Sequence, residues 1–344
     1  MNTETISVFI KMEMVRQEDG PSRSTRAMVH LDRLRAMQLA ADITQEEKNM
    51  RVFVTGATGF IGSALVPELI KAGHEVLGMA RSDAGAKSLE TAGAKVHRGD
   101  LEDLESLRSG AKQAEGVIHL AFNHDFSNFQ ANCEMDTRAV EALGSAVAGS
   151  DRPLVITSGT GIVHVEGRPS TEDDAANSPF PRVASEVAAA ELAAKGMRVS
   201  VMRLPQVHDT VKQGLITYLV ALAREKGVSA YVGDGSNRWP AVHIFSCAQL
   251  YRLALEKGKA GARYHAVGEE GVPLREIAEV IGGGLKLPVV SISPEKAGEH
   301  FGWLAYFVGH DIPASSALTQ ERLGWRPAGP GMISDLKKMN YSPA

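Results

Sequence analysis

From position 51 onward the chain alternates between short, β-branched apolar runs and longer stretches with helical periodicity. Arg51-Val52-Phe53-Val54-Thr55 is of the first kind, apolar enough for a parallel strand buried on both faces. Over residues 63–72 Leu65, Val66, Leu69 and Ile70 recur at helical spacing, Gly73 supplies a stop, and residues 75–80 form a second apolar run. The rhythm continues. It predicts strands at 95–97, 116–121, 154–158 and 199–203, and helices at 128–148 and 182–195. Alternation of this kind predicts a parallel sheet covered by helices on both faces. After position 210 the pattern becomes mainly helical, with helices expected at 211–226, 245–256, 274–281 and 294–301 and a strand and turn at 230–235. The aromatic run Phe301 to Phe307 is expected to be core.

Residues 1–49 differ. Positions 17–24 are polar and turn-rich, and Val29, Leu31, Leu34, Met37 and Leu39 would line one face of a short helix ending near Asp42. Glu18, Asp19, Asp32 and Asp42 are out of keeping with a transit peptide. The expected organisation is an extension over 1–49, a dinucleotide-binding domain over 50–210 and a substrate-binding region over 211–344.

The candidate chemistry begins where the first strand meets its helix, at Gly56-Ala57-Thr58-Gly59-Phe60-Ile61-Gly62. Gly56 permits a tight exit from the strand, Gly59 lets the backbone approach a pyrophosphate, and Gly62 allows close packing of helix on sheet. The phosphates then sit over the N–H groups that open the helix. Strand, glycines, helix and second strand come in the order that dinucleotide binding requires. The second strand ends in Ala80-Arg81-Ser82, with no acid before Asp83. A carboxylate there would bond a ribose 2′-hydroxyl, whereas Arg81 and Ser82 suit a 2′-phosphate, so NADP is expected over NAD.

Composition narrows the partners. Lys plus Arg number 37 against 41 Asp plus Glu, a net charge of −4. So even a balance argues against nucleic acid or a membrane surface as the main partner, and a small-molecule substrate is expected. Two cysteines make no disulfide framework or metal set. No apolar run reaches the roughly 18–20 residues of a spanning helix, and a cytoplasmic location is expected.

These motifs resemble the extended or atypical short-chain dehydrogenases/reductases, the group that includes NAD-dependent epimerases and dehydratases. Thr55-Gly56-Ala57-Thr58-Gly59-Phe60-Ile61-Gly62 is similar to that group's glycine signature, and the likeness runs to about Pro327. It implies a Rossmann-type doubly wound parallel α/β sheet with a smaller, mainly helical C-terminal substrate domain, and a homodimer. It also implies that Asp100 and Leu101 lie by the adenine, Ala121 and Phe122 by the nicotinamide ribose, and Pro205 by the nicotinamide. Trp239-Pro240-Ala241-Val242-His243 and Leu323-Gly324-Trp325-Arg326-Pro327 resemble landmarks of the substrate domain.

The departure lies in the catalytic pair. Such enzymes generally use Tyr-x-x-x-Lys on the helix after the fifth strand. Here Arg182 and Glu186 occupy those positions; the first tyrosine is Tyr218, and no lysine lies between Lys112 and Lys195. A guanidinium does not release its proton near neutral pH. Arg182 and Glu186 are spaced for an ion pair along the helix; alternatively Arg182 anchors an anion, or Glu186 serves as a base. Ser158 and Thr160 flank Gly159, where the resembled group carries a hydroxyl, and either could bond a substrate oxygen. His124 and His208 follow strands at their carboxyl ends and are candidate proton donors, with His164 third. The expected activity is an NADP-dependent oxidoreductase of a small carbonyl or alcohol with a non-Tyr proton donor. The alternatives are a redox-silent NADP-binding sensor or interaction protein and a redox-neutral epimerase- or dehydratase-type enzyme.

Overall fold

Residues 49–342 are described by the computed structural model, and the helix expected near 29–39 lies outside them. Arg51–Thr55 forms β1, with Val52 and Val54 in one apolar layer and Phe53 in the other, as the two-residue period of a strand requires. Then come α1 (Phe60–Lys71), β2 (Glu75–Ala80), α2 (Asp83–Thr91), β3 (Lys95–Arg98), α3 (Leu104–Lys112), β4 (Gly116–His119), α4 (Phe129–Val147), β5 (Leu154–Gly159), α5 (Val183–Ala194) and β6 (Val199–Leu204). The remainder comprises β7 (Gln206–His208), α6 (Ile216–Lys226), β8 (Ser229–Val232), β9 (Arg238–His243), α7 (Ile244–Lys257), β10 (Arg263–His265) and β11 (Glu269–Pro273). After these come α8 (Leu274–Leu285), β12 (Val289–Ile292), α9 (Ala297–Phe301), α10 (Ala305–Val308), α11 (Ala317–Leu323) and α12 (Met332–Lys338).

The central sheet has seven strands in the order β10-β6-β5-β4-β1-β2-β3, all parallel. This is the expected doubly wound, Rossmann-type α/β fold. Leu65 and Leu69 of α1, Ala86 and Leu89 of α2 and Leu250 and Leu255 of α7 fill one face. Leu107 of α3, Leu143 of α4 and Leu192 of α5 fill the other. Strand order reverses between β1 and β4, so the loops leaving these two strands diverge and open a crevice at their carboxyl ends.

The C-terminal half has its own core around Trp239, Leu274, Ile277, Phe301 and Leu336, with two small sheets, β11-β9-β7 and β12-β8. It also crosses back, because α7 and β10 complete the central sheet. Its six strands have three to six residues each, too few to impose a legible period. The helix expected over 211–226 begins only at Ile216. Asp209 accepts hydrogen bonds from the Val211 and Lys212 amides at 2.6 and 2.7 Å, which holds a turn there, and Gly214 is left-handed. No helix among the described residues is long and apolar enough to cross a membrane.

Candidate active site

The turn after β1 gives its three glycines different tasks. Gly56 has φ +69°, and a Cβ on it would sit 2.7 Å from the Ala121 amide nitrogen. One on Gly62 would collide with the Gly56 carbonyl oxygen. The fold itself therefore demands both. A Cβ on Gly59 would meet only the Gly56 oxygen, at 3.1 Å, and otherwise face open space. That space lies over the first N–H groups of α1, which have no partner within the helix. The cradle suits a pyrophosphate in shape and in charge. Thr58 is exposed and Phe60 and Ile61 are half-buried around it. The Lys212 ammonium lies 5.9 Å from the centroid of the Phe60 ring, a placement that nothing in the local sequence signals.

At the end of β2 the Arg81 side chain is 78% exposed, and its nearest acid, Asp100, is 3.7 Å away. The Ser82 hydroxyl caps α2 by accepting from the Gly85 amide at 3.1 Å. Leu101 packs against the second apolar layer, and Pro205 separates β6 from β7.

The main surprise surrounds Arg182. It does not pair with Glu186. Its guanidinium binds the Asp136 carboxylate, the Ser185 hydroxyl at 2.8 Å and the Thr157 carbonyl at 2.7 Å. One face lies 4.3 Å from the Phe122 centroid, a cation–π contact. Asp136, 1% exposed, also accepts from Ser185 at 2.6 Å and lies 3.3 Å from His119 Nε2. The other ring nitrogen of His119 is 2.7 Å from the Thr55 hydroxyl. Thus Thr55, His119, Asp136, Ser185 and Arg182 form a continuous network across the ends of β1 and β4. Burial alone would raise the Asp136 carboxyl, but the charge of Arg182 and the bonds from His119 and Ser185 bring it down to about 2. Asp136 was missed in the sequence, although an acid on the apolar face of a long helix, between Cys133 and Val140, was the available signal.

Glu186 is committed elsewhere. Both its oxygens accept from Arg203, each at 2.8 Å, and Arg203 is wholly buried. Arg203 also donates to the Asp174 carbonyl at 2.9 Å and lies 3.3 Å from His265 Nε2. Burial and the charge of Arg203 lower the His265 pKa to about 3, so this ring is a neutral acceptor. With both carboxylate oxygens occupied, Glu186 is no free base, which corrects that expectation.

A model of the NAD-dependent epimerase/dehydratase family matches residues 52–267. The chain belongs to this family. A 48% identical relative, an uncharacterised protein of Schizosaccharomyces pombe, aligns with 85% of this chain and 100% of its own. The sterol-4-alpha-carboxylate 3-dehydrogenase of Dictyostelium discoideum is 26% identical, covering 65% of this chain and 73% of its own. Among solved structures, the dTDP-glucose 4,6-dehydratase DesIV of Streptomyces venezuelae with NAD bound superposes with a TM-score of 0.68 at 21% identity, over 84% of this chain and 95% of that one.

In this epimerase/dehydratase-family chain the remaining candidates fall into two groups. Ser158 and Thr160 stand at the carboxyl end of β5, near Arg182. Thr160 donates to the Leu204 carbonyl at 3.3 Å, whereas the Ser158 hydroxyl is buried without a protein partner. His124 lies on the exposed loop after β4, with Nδ1 3.1 Å from the Phe122 carbonyl. Partial desolvation lowers its pKa, and the charges of Arg182 and Lys212 act in the same direction. His208 belongs to the second group, on β7. Its Nδ1 is 2.8 Å from Asp335 and its Nε2 is 3.8 Å from Glu269, with His243 alongside. Burial lowers the His208 pKa despite Asp335. The geometry therefore brings His124, and not His208, to Arg182.

The aromatic run divides. Phe301 and Leu304 enter the C-terminal core, while Trp303 and Tyr306 remain 42% and 37% exposed. Trp303 stacks on Phe126 at 3.9 Å and Tyr306 on Phe180 at 5.3 Å. Phe180 in turn meets Phe129 at 4.8 Å, so aromatic rings join the loop after β4 to the C-terminal cover. His164, the third histidine, is exposed beside this cover.

Proposed function

We propose that this chain is an NADP(H)-preferring oxidoreductase that interconverts a carbonyl and an alcohol on a small molecule. The observation that carries the reading is the open cradle at Gly59, just past the carboxyl end of β1, where the Arg182 network also begins at Thr55. Arg81, exposed and only loosely engaged by Asp100, supports the preference for a 2′-phosphate.

Bound nicotinamide supplies or receives the hydride. In the reducing direction Ser158 donates a hydrogen bond to the substrate carbonyl oxygen. The guanidinium of Arg182, fixed by Asp136, provides a permanent positive charge for the oxygen as it becomes an alkoxide. His124 in its protonated form delivers the proton and is reprotonated from solvent. With NADPH bound, the carbonyl carbon would gain the hydride and its oxygen the proton from His124, leaving NADP⁺. In oxidation the neutral His124 takes that proton instead.

A second reading is a nucleotide-binding protein without turnover, and its support comes from the sequence. By the resemblance, Arg182 falls where such enzymes carry their proton-transferring Tyr, and a guanidinium does not transfer a proton. The redox-neutral reading loses its carboxylate base, because Glu186 is held by Arg203.

Equilibrium titration with NADPH and NADH tests the proposal. NADPH should bind more tightly, and Arg81→Ala should weaken NADPH about tenfold, or ~1.4 kcal/mol, while leaving NADH unchanged. Equal loss for both cofactors would sink the NADP preference. NADPH binding without consumption across a carbonyl panel would favour the second reading.

A further inference from the structure

A cavity of about 300 Å³ lies between the segment after β5 and the stretch that follows α10. Pro179, Phe307 and Ile312 form apolar walls, and His164, Tyr306 and His310 add polar edges. No Lys, Arg, Asp or Glu lines it. Asp311, between the lining residues His310 and Ile312, is already matched, since it takes Arg238 through both oxygens. A diphosphate placed here would find no cation to offset its desolvation.

Size and chemistry describe the ligand. An apolar cavity of about 150 Å³ accommodates one benzene, so this one has room for roughly two fused rings. The Tyr306 hydroxyl is 3.1 Å from the Ser178 hydroxyl and is positioned at the cavity's edge. His310 Nδ1 is engaged by the Tyr306 carbonyl, so a neutral ring carries its proton there and leaves Nε2 as an acceptor. The place also fits. Gly161 comes three residues after Ser158, and Ser178 four before Arg182. Phe180, two residues before Arg182 in the chain, stacks on Tyr306 at the cavity's edge.

We propose that this cavity holds the body of the substrate, a neutral, flat compound of one or two rings with a hydroxyl or similar group, and not a nucleotide sugar. This inference rests on the oxidoreductase reading for its redox step but not for its ligand class. The ring system occupies the cavity and its carbonyl extends past Phe180 toward Ser158 and Arg182.

The test is calorimetric titration of 2-naphthol, a neutral two-ring probe, and of UDP-glucose into the full chain with and without NADPH. In Gly161→Leu the new Cβ would meet only Ile312 Cδ1, at 3.6 Å, so the side chain enters the cavity with its backbone unstrained. The expected result is saturable 2-naphthol binding, at least tenfold weaker in Gly161→Leu, with NADPH affinity unchanged. Ile312→Phe narrows the same space from the opposite wall and should act alike, which covers a failure of the first variant to fold. Undiminished 2-naphthol binding in a folded cavity-filling variant, or tighter binding of UDP-glucose than of 2-naphthol, overturns the proposal. Absence of NADPH binding would instead remove the oxidoreductase reading, and the 2-naphthol comparison would still decide the ligand class.

Discussion

Helix α5 anchors two arginine–carboxylate pairs within one turn, and they differ in what surrounds them. The Glu186–Arg203 pair is closed on every side: both carboxylate oxygens are occupied, and Arg203 is 0% exposed. It joins α5 to β6 and, through the Asp174 carbonyl, pins the long loop between β5 and α5. The Arg182–Asp136 pair is as firmly bonded, but its guanidinium has one face on the Phe122 ring, beside the loop that carries His124. One pair holds the scaffold together; the other holds a charge at the edge of a crevice. A buried ion pair is weak evidence for net stability, yet removing one partner is costly because the other charge is left unmatched. The two pairs should therefore respond differently to substitution.

The largest effect is expected from Arg203→Met. It leaves Glu186 buried and unpaired, and chemical denaturation should show a loss of roughly 3–5 kcal/mol. A loss under about 1 kcal/mol would mean that this pair is no more structural than the other. Next, His124→Ala on the open side should lower reductive turnover by ~10²-fold or more while leaving NADPH affinity and stability near wild type. The wild-type rate should also fall as pH rises through the His124 pKa, which lies below its usual 6.5, because reduction uses the protonated ring. An unchanged pH profile in the variant would remove His124 from the proposed mechanism.

A smaller effect concerns acid stability. The Asp136 carboxyl is held at about 2 against an ordinary 3.8. A depressed carboxyl stabilises the fold fully above its unfolded pKa, and that contribution disappears as pH falls through the folded one. Stability should thus decline between about pH 4 and pH 2 by an Asp136-dependent ~2 kcal/mol. Asp136→Asn should flatten that part of the curve, and an identical acid limb would contradict the assignment. The smallest change is Ser185→Ala, which deletes the 2.6 Å bond to Asp136. It should cost about 1 kcal/mol by thermal or chemical melts.

The central sheet was legible because its signals are local and strongly periodic. The run at β1, the glycines after it and the apolar spacing of α1 lie within some 20 residues, and the first pass through the sheet repeats the design. In the C-terminal half β7, β10 and β11 are each five residues or fewer, and the Asp209 turn replaced the first turns of the expected helix. The expected core role of Phe301 to Phe307 was right for Phe301 and missed Trp303 and Tyr306, because short helical turns send neighbouring rings in opposite directions.

The sheet's architecture, the dinucleotide turn and Arg182 at the head of α5 were readable from the chain alone, since each rests on contacts among near neighbours along it. Which charge meets which was set by packing between distant segments. An Arg182–Glu186 pair along the helix would be worth a few tenths of a kcal/mol in water. Burying Asp136 and Arg203 imposes a far larger penalty on any unmatched charge, so the fold draws each to a partner 46 and 17 residues away.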